Sequence, residues 1–270
     1  MKSLKKYFSL AGGRKSGLSF ATFAICAIIL LAVPLQISCS DSGDDNGDSN
    51  PSETKPDPVK AALAEGVTYK NVDKLMIAVP GKKFSILATE VTQELYESVM
   101  GENPSNFKEE KNLPVEQVSW YDAVYFCNKL SAKCGLTPVY AVDGETDVEK
   151  WGYAPHITGT VSQNENNNGY RLPTVEEWQY AAKGGQEFKY SGSANLDEVG
   201  WYDKNSEEKT HPVAQKNSNV YGLYDMSGNV WEWCWDSDPD NSYRRCSCGG
   251  SWYYGRRRLR GGQQELVLRL

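Results

Sequence analysis

The sequence predicts an α+β domain of few helices and short antiparallel strands, held together by loops more than by long regular elements. Three observations predict it. Helix start and stop signals occur at only three places. Between and after them the chain reads as short extended pieces joined by long turn-rich stretches, such as 137–142, 162–169 and 201–211. All eight tryptophans, Trp120, Trp151, Trp178, Trp201, Trp231, Trp233, Trp235 and Trp252, fall in this part of the chain. Large rigid rings fill a core where regular structure is sparse, and loops of such length in a compact domain are usually functional or locked by ligands.

The first helix is expected after Thr92 as N-cap, with Leu95, Tyr96, Val99 and Met100 on one side and Gly101 as its stop. In the second, Ser119 and Asp122 form a capping-box pattern ahead of Val124, Cys127 and Leu130, and Gly135 terminates it. The third repeats the pattern with Thr174 and Glu177 after Pro173, turning Trp178, Ala181 and Ala182 inward before Gly184 and Gly185. Core packing accounts for most of these apolar faces.

Residues 1–38 are expected to stand outside the fold as a signal peptide. Lys2, Lys5, Lys6, Arg14 and Lys15 precede the apolar run 20–35, and the first acid is Asp41. That run is shorter than the roughly 20 residues of a spanning helix. It ends in Leu35-Gln36-Ile37-Ser38-Cys39, which looks like a bacterial lipoprotein cleavage site with Cys39 as the lipidated residue. Gln36 stands where a branched aliphatic is commoner, so ordinary cleavage near Ser38 is the alternative. Residues 39–66 are expected to be the lipidated N-terminus and a disordered tether, because 40–60 is Asp, Gly, Asn, Ser and Pro with too little apolar surface to fold. Residues 67–270 form one domain with a single sizeable core.

The formal net charge is −6, and removing the five leader cations leaves 24 basic against 35 acidic residues, a net of −11. Nucleic acid is excluded as a partner at that charge. The expected partners are a membrane, through the N-terminal lipid, and a protein or other surface ligand; the expected location is the cell envelope. Beyond the leader and Cys39, five cysteines remain, Cys127, Cys134, Cys234, Cys246 and Cys248. An odd number cannot all pair within one chain. Cys127 and Cys134, seven apart on one expected helix, lie about 10 Å apart along its axis and cannot bridge.

Six segments, in order, carry a family resemblance: 89–100 (TEVTQELYESVM), 113–127 (LPVEQVSWYDAVYFC), 169–181 (GYRLPTVEEWQYA), 211–215 (HPVAQ), 221–235 (YGLYDMSGNVWEWCW) and 249–252 (GGSW). Together they resemble the formylglycine-generating enzyme, or sulfatase-modifying factor, family. The resemblance implies a loop-rich C-type-lectin-like fold. It also implies a structural calcium on Asp225, Gly228, Val230 and Glu232, the middle two through main-chain oxygen. A hard cation wants such oxygen ligands; two acids capping a turn is the plainer alternative. A second calcium of the family, before the HPVAQ segment, is not carried over.

The family's oxidation of a substrate cysteine to formylglycine uses a cysteine pair after the GGS motif that binds copper(I), a metal suited to thiolates. The matching positions here are Tyr254 and Leu259, so no catalytic residue and no copper are expected. Cys246 and Cys248 face one way on an extended strand, but they precede that motif and read as buried or free thiols. Family members continue beyond GGSW to a Gly-Phe-Arg strand, whereas 18 residues follow Trp252 here, including Arg256, Arg257, Arg258 and Arg260. That basic tail reads as a solvated patch, a site for anionic partners, a shifted reading frame or a deliberately diversified segment. Ser251, Trp252, Tyr253, Tyr254, Arg256, Arg257 and Arg258 are the candidate ligand-binding residues, being largely of types enriched at binding hot spots. The function expected is a lipid-anchored, non-catalytic ligand-binding module; a formylglycine-generating oxidase is the alternative.

Overall fold

The computed structural model describes residues 56–152 and 159–254, together with the backbone of two short strands, β1 (Ile25–Ala27) and β2 (Leu30–Leu31). Cys39, Arg256, Arg257, Arg258 and Leu259 lie outside the described residues.

The segment 39–66, expected to be a disordered tether, contains a helix. Helix α1 (Pro58–Glu65) occupies its last part, with Asp57 as N-cap accepting from the Val59 and Lys60 amides and a proline in the first turn. Val59, Ala62 and Leu63, spaced three and four apart, are buried in the main core. The polar composition of the preceding stretch masked this one short amphipathic turn, whose stability comes from tertiary packing.

The three helices expected from capping chemistry are present. In α2 (Gln93–Met100) the Thr92 hydroxyl accepts from the Leu95 amide, and Gly101 closes the helix in the left-handed conformation, φ 87°. Both α3 (Trp120–Lys133) and α4 (Val175–Lys183) open with complete capping boxes, Ser119 with Asp122 and Thr174 with Glu177. Glu177 also holds Arg171 through two contacts of 2.7 and 2.8 Å, so one carboxylate fixes the helix entry and the segment leading to it. A four-residue helix, α5 (Leu196–Val199), and two 3-10 turns, Val72–Leu75 and Val148–Lys150, complete the helical content among the described residues.

The strands are short except for one hairpin. β3 (Met76–Ala78) pairs antiparallel with β4 (Ser85–Leu87), β5 (Tyr140–Val142) with β6 (Val161–Gln163), and β7 (Trp231–Asp238) with β8 (Asn241–Cys248). Residues 25–27 and 30–31, expected to stand outside the fold, pair with it. β1 runs parallel to Trp231–Trp233 of β7, and β2 runs antiparallel to Ser85 and Ile86 of β4. An extended segment satisfies the unpaired N–H and C=O groups of a sheet edge. Among the described residues no helix is long and apolar enough to cross a membrane.

Aromatic side chains tie these pieces together. The Trp120 indole, on α3, donates to the Cys234 carbonyl at 3.0 Å, and the Trp233 indole, on β7, donates back to the Val118 carbonyl at 3.0 Å. Arg245 of β8 lies 3.9 Å over the Trp120 ring and donates to the Trp235 carbonyl. The β7–β8 hairpin is thus locked onto α3 on one side and packs against α4 on the other, where Trp178, Ala181 and Ala182 meet Cys234, Cys246 and Cys248. This hairpin positions the candidate site.

Candidate functional site

The site is built on the turn that enters β7. Asp225 and Asn229 both adopt left-handed backbone, φ 57° and 56°, conformations that Asp and Asn tolerate better than most residues. Gly228 between them is required by space as well as by its φ of 112°: a Cβ there would lie 2.2 Å from the Trp201 carbonyl oxygen. The Asn229 amide donates to that same oxygen at 2.9 Å. Loop 201–211 therefore backs the turn through main chain, and Ala214 helps by donating its amide to Asp225 Oδ2 at 2.8 Å.

A residue outside the turn holds its shape. Glu90, fully buried, accepts from the Val230 amide at 2.9 Å and from Asn229 Nδ2 at 2.7 Å. Glu232, also fully buried, accepts from the Trp178 indole of α4. Sequence reasoning missed Glu90, Asn229 and Trp178 as parts of this site. The one available signal was an acid, Glu90, set among the apolar residues just before the Thr92 cap.

Glu232 Oε1 and Asp225 Oδ1 are buried oxygens without a hydrogen-bond donor. A Cβ placed on Gly249 would meet the Val230 carbonyl at 3.7 Å and Glu232 Oε1 at 3.8 Å, so these two oxygens face one small space that glycine keeps open. Of the four residues named for calcium, Asp225 and Glu232 thus offer free carboxylate oxygens, and Val230 offers a carbonyl beside one of them. Gly228 is in the same turn. This donor set fits a hard cation.

Burial is the largest cause of a raised pKa at all three acids. It pushes the Asp225 carboxyl up to about 6, against the Ala214 amide and Lys60, which lower it. Glu232 and Glu90 are held well above the usual carboxylate range; the charge of Asp225 adds to burial at both, and at Glu90 that of Glu232 adds as well.

The segment after β8 joins the same site. Gly228 donates to the Gly249 carbonyl at 3.0 Å, and Trp252 donates its amide to the Asn229 carbonyl at 2.8 Å. Ser251 is buried. Trp252 packs edge-on against Phe107 and Tyr254 against Trp231, so both rings serve partly as core. Tyr253, about half exposed, presents its ring to solvent. The structure therefore brings the residues expected to hold calcium and the described part of the candidate ligand-binding segment into one cluster.

A family model for the sulfatase-modifying factor enzyme 1-like domain matches residues 67–266. The chain is 47% identical over 195 residues to the chaperone protein LppX of Paenibacillus barcinonensis, covering 63% of this chain and 69% of that one. To the inactive C-alpha-formylglycine-generating enzyme 2 of Mus musculus it is 29% identical over 162 residues, 55% of this chain but only 40% of the mouse protein. Among solved structures it resembles Treponema denticola variable protein 1, with a TM-score of 0.61 and 36% identity over 67% of this chain and 81% of the other.

The raised Asp225 value sets a pH dependence for the metal-free protein. Between about pH 4 and pH 6 the folded chain keeps a proton on Asp225 that the unfolded chain has released. Stability is therefore greatest at the acid end of this window and falls as pH rises through it, by about 3 kcal/mol for a two-unit shift. Urea unfolding in excess chelator at pH 4.5 and pH 7 measures the slope; Asp225→Asn lowers it by the share of that one group, leaving what Glu90 and Glu232 contribute.

Proposed function

Because the chain belongs to the family of sulfatase-modifying factor enzyme 1-like domains, we propose that it uses the family's scaffold as a non-catalytic ligand-binding module, displayed on a lipid-anchored protein of the cell envelope. The observation that carries the non-catalytic reading is the residue at the first of the two copper-binding positions. It is Tyr254, whose ring packs against Trp231, and a phenol in an aromatic cluster is no substitute for a soft thiolate. The second position, Leu259, is aliphatic. Function belongs to a site and not to its fold, and this site retains the scaffold of the chemistry without its thiols.

The ligand side of the reading rests on the segment that follows β8. Tyr253 is exposed beside half-buried Trp252 and Tyr254, and three further arginines follow in sequence at 256–258. Aromatic and arginine side chains are the usual anchors of protein interfaces. A relative named as a chaperone favours a polypeptide as the ligand. A bound calcium ion, held by Asp225, Glu232 and the main-chain oxygens of Gly228 and Val230, would supply charge neutralisation to the turn beneath that segment.

Three outcomes follow. Incubated with copper(I), dioxygen and a Cys-x-Pro-x-Arg peptide, the protein yields no aldehyde by mass spectrometry; product would revive the oxidase alternative. Millimolar calcium at pH 7.5 raises the melting temperature by several degrees, as expected of a ligand bound only by the folded state, and Glu232→Gln removes most of that gain. Mass spectrometry of the mature N-terminus finds diacylglycerol on Cys39, and Cys39→Ser releases the protein from the membrane fraction.

A further inference from the structure

The thiols of Cys234 and Cys248 lie 3.6 Å apart in the β7–β8 hairpin, and we infer that they form a disulfide in the exported protein, leaving Cys246 free. The strand register gives no such preference. Glu232 pairs with Cys248 and Trp233 with Ser247, which continues to Cys234 opposite Cys246. The ladder is interrupted between Trp233 and Ser237, however, and irregularities of this kind re-aim side chains. The Cys246 thiol points instead to the Ser237 carbonyl, 3.4 Å away. Cys127 is inside α3 and Cys134 caps its end, so neither belongs to this cluster.

Both sulfurs are buried against α4, in the small core cluster that contains Trp178. An oxidant has no path to them in the closed fold, where both thiols are buried. The bond therefore forms while the chain folds, before the hairpin docks on α4. The oxidant is a disulfide, either a small molecule or the disulfide of a protein oxidase. One cysteine sulfur attacks the oxidant's S–S bond and expels one of its halves as a thiol; the second cysteine sulfur then displaces the other half from the mixed disulfide. One S–S bond has broken and one has formed, and the two cysteine protons end on the two thiols of the reduced oxidant.

The cross-link would close a loop of about fifteen residues and staple the strand that carries Glu232 to the strand that leads into Gly249. It would thereby fix the two walls of the small space between Val230, Glu232 and Gly249. This inference rests on the envelope location proposed above, since cytoplasmic thiols stay reduced.

The test uses the full chain in two preparations: one alkylated in denaturant straight from the envelope fraction, the other reduced, unfolded and refolded with oxidised glutathione. Tandem mass spectrometry that separates Cys246 from Cys248 reads the linkage. The expected result is a Cys234–Cys248 link in both preparations, retained in Cys246→Ser and lost in Cys248→Ser, whose melting temperature is lower by about 6–12 °C. A link in the refolded protein with five free thiols in the cell would leave the disulfide standing and overturn the location on which it rests. Free thiols after refolding, or a Cys234–Cys246 link, would overturn the disulfide itself. Should Cys248→Ser fail to fold, the linkage in Cys246→Ser decides alone.

Discussion

The fold turns on a buried carboxylate that reaches across the chain. Glu90 accepts from Asn229 and Val230, residues 139 and 140 positions away. An acid with no solvent exposure is costly unless its oxygens find donors, and here both oxygens do. The clamp fixes where β7 starts. From there Glu232 reaches the Trp178 indole on α4, Gly228 meets Gly249, and Asn229 receives the amide of Trp252. Removing Glu90 would leave the Val230 main-chain amide and one N–H of the Asn229 side chain, whose other donor reaches the His211 carbonyl, without partners in the interior, the kind of loss that costs more than the bond itself contributed.

Such a clamp matters because long regular elements are few. Among the described residues the longest helix is α3, of 14 residues, and the β5–β6 and β3–β4 pairs are three residues long. Loops must then satisfy their own backbone groups, and they do so against one another. The carbonyl of Trp201 accepts from Asn229, while Gly200 sits so close to Ser227 that a Cβ there would lie 1.8 Å from its carbonyl oxygen. Indole N–H groups serve the same end from Trp120, Trp233 and Trp151. Each large ring covers apolar area and satisfies a carbonyl that would otherwise be stranded.

The same arrangement separates scaffold from chemistry. The turn 225–232, the GGSW segment and the clamp beneath them need glycine, carboxylate and indole at fixed places, and these are present. The oxidation needs two thiolates on the segment that follows, and a tyrosine and a leucine stand there. Tyr254 has become part of the packing, edge-on to Trp231.

Much of this was legible in the residues. Thr92, Ser119 and Thr174 announced three helices because capping is local chemistry, decided within four residues of chain. The α+β class followed from the few helix signals and short extended pieces, and the turn 225–232 stood out by the family's motif order, whereas its pairing with the GGSW segment was seen only in the folded chain. Helix α1 escaped notice because its three buried residues follow a polar stretch, and only contact with the core stabilises so short a helix. The role of Glu90, the orphaned oxygens of Asp225 and Glu232, and the choice of Cys248 over Cys246 as the neighbour of Cys234 were settled by tertiary structure alone. Each depends on which distant segment lies within a few ångströms, and sequence spacing carries no record of that distance. The sequence by itself determined the kinds of groups available, while packing decided which of them meet.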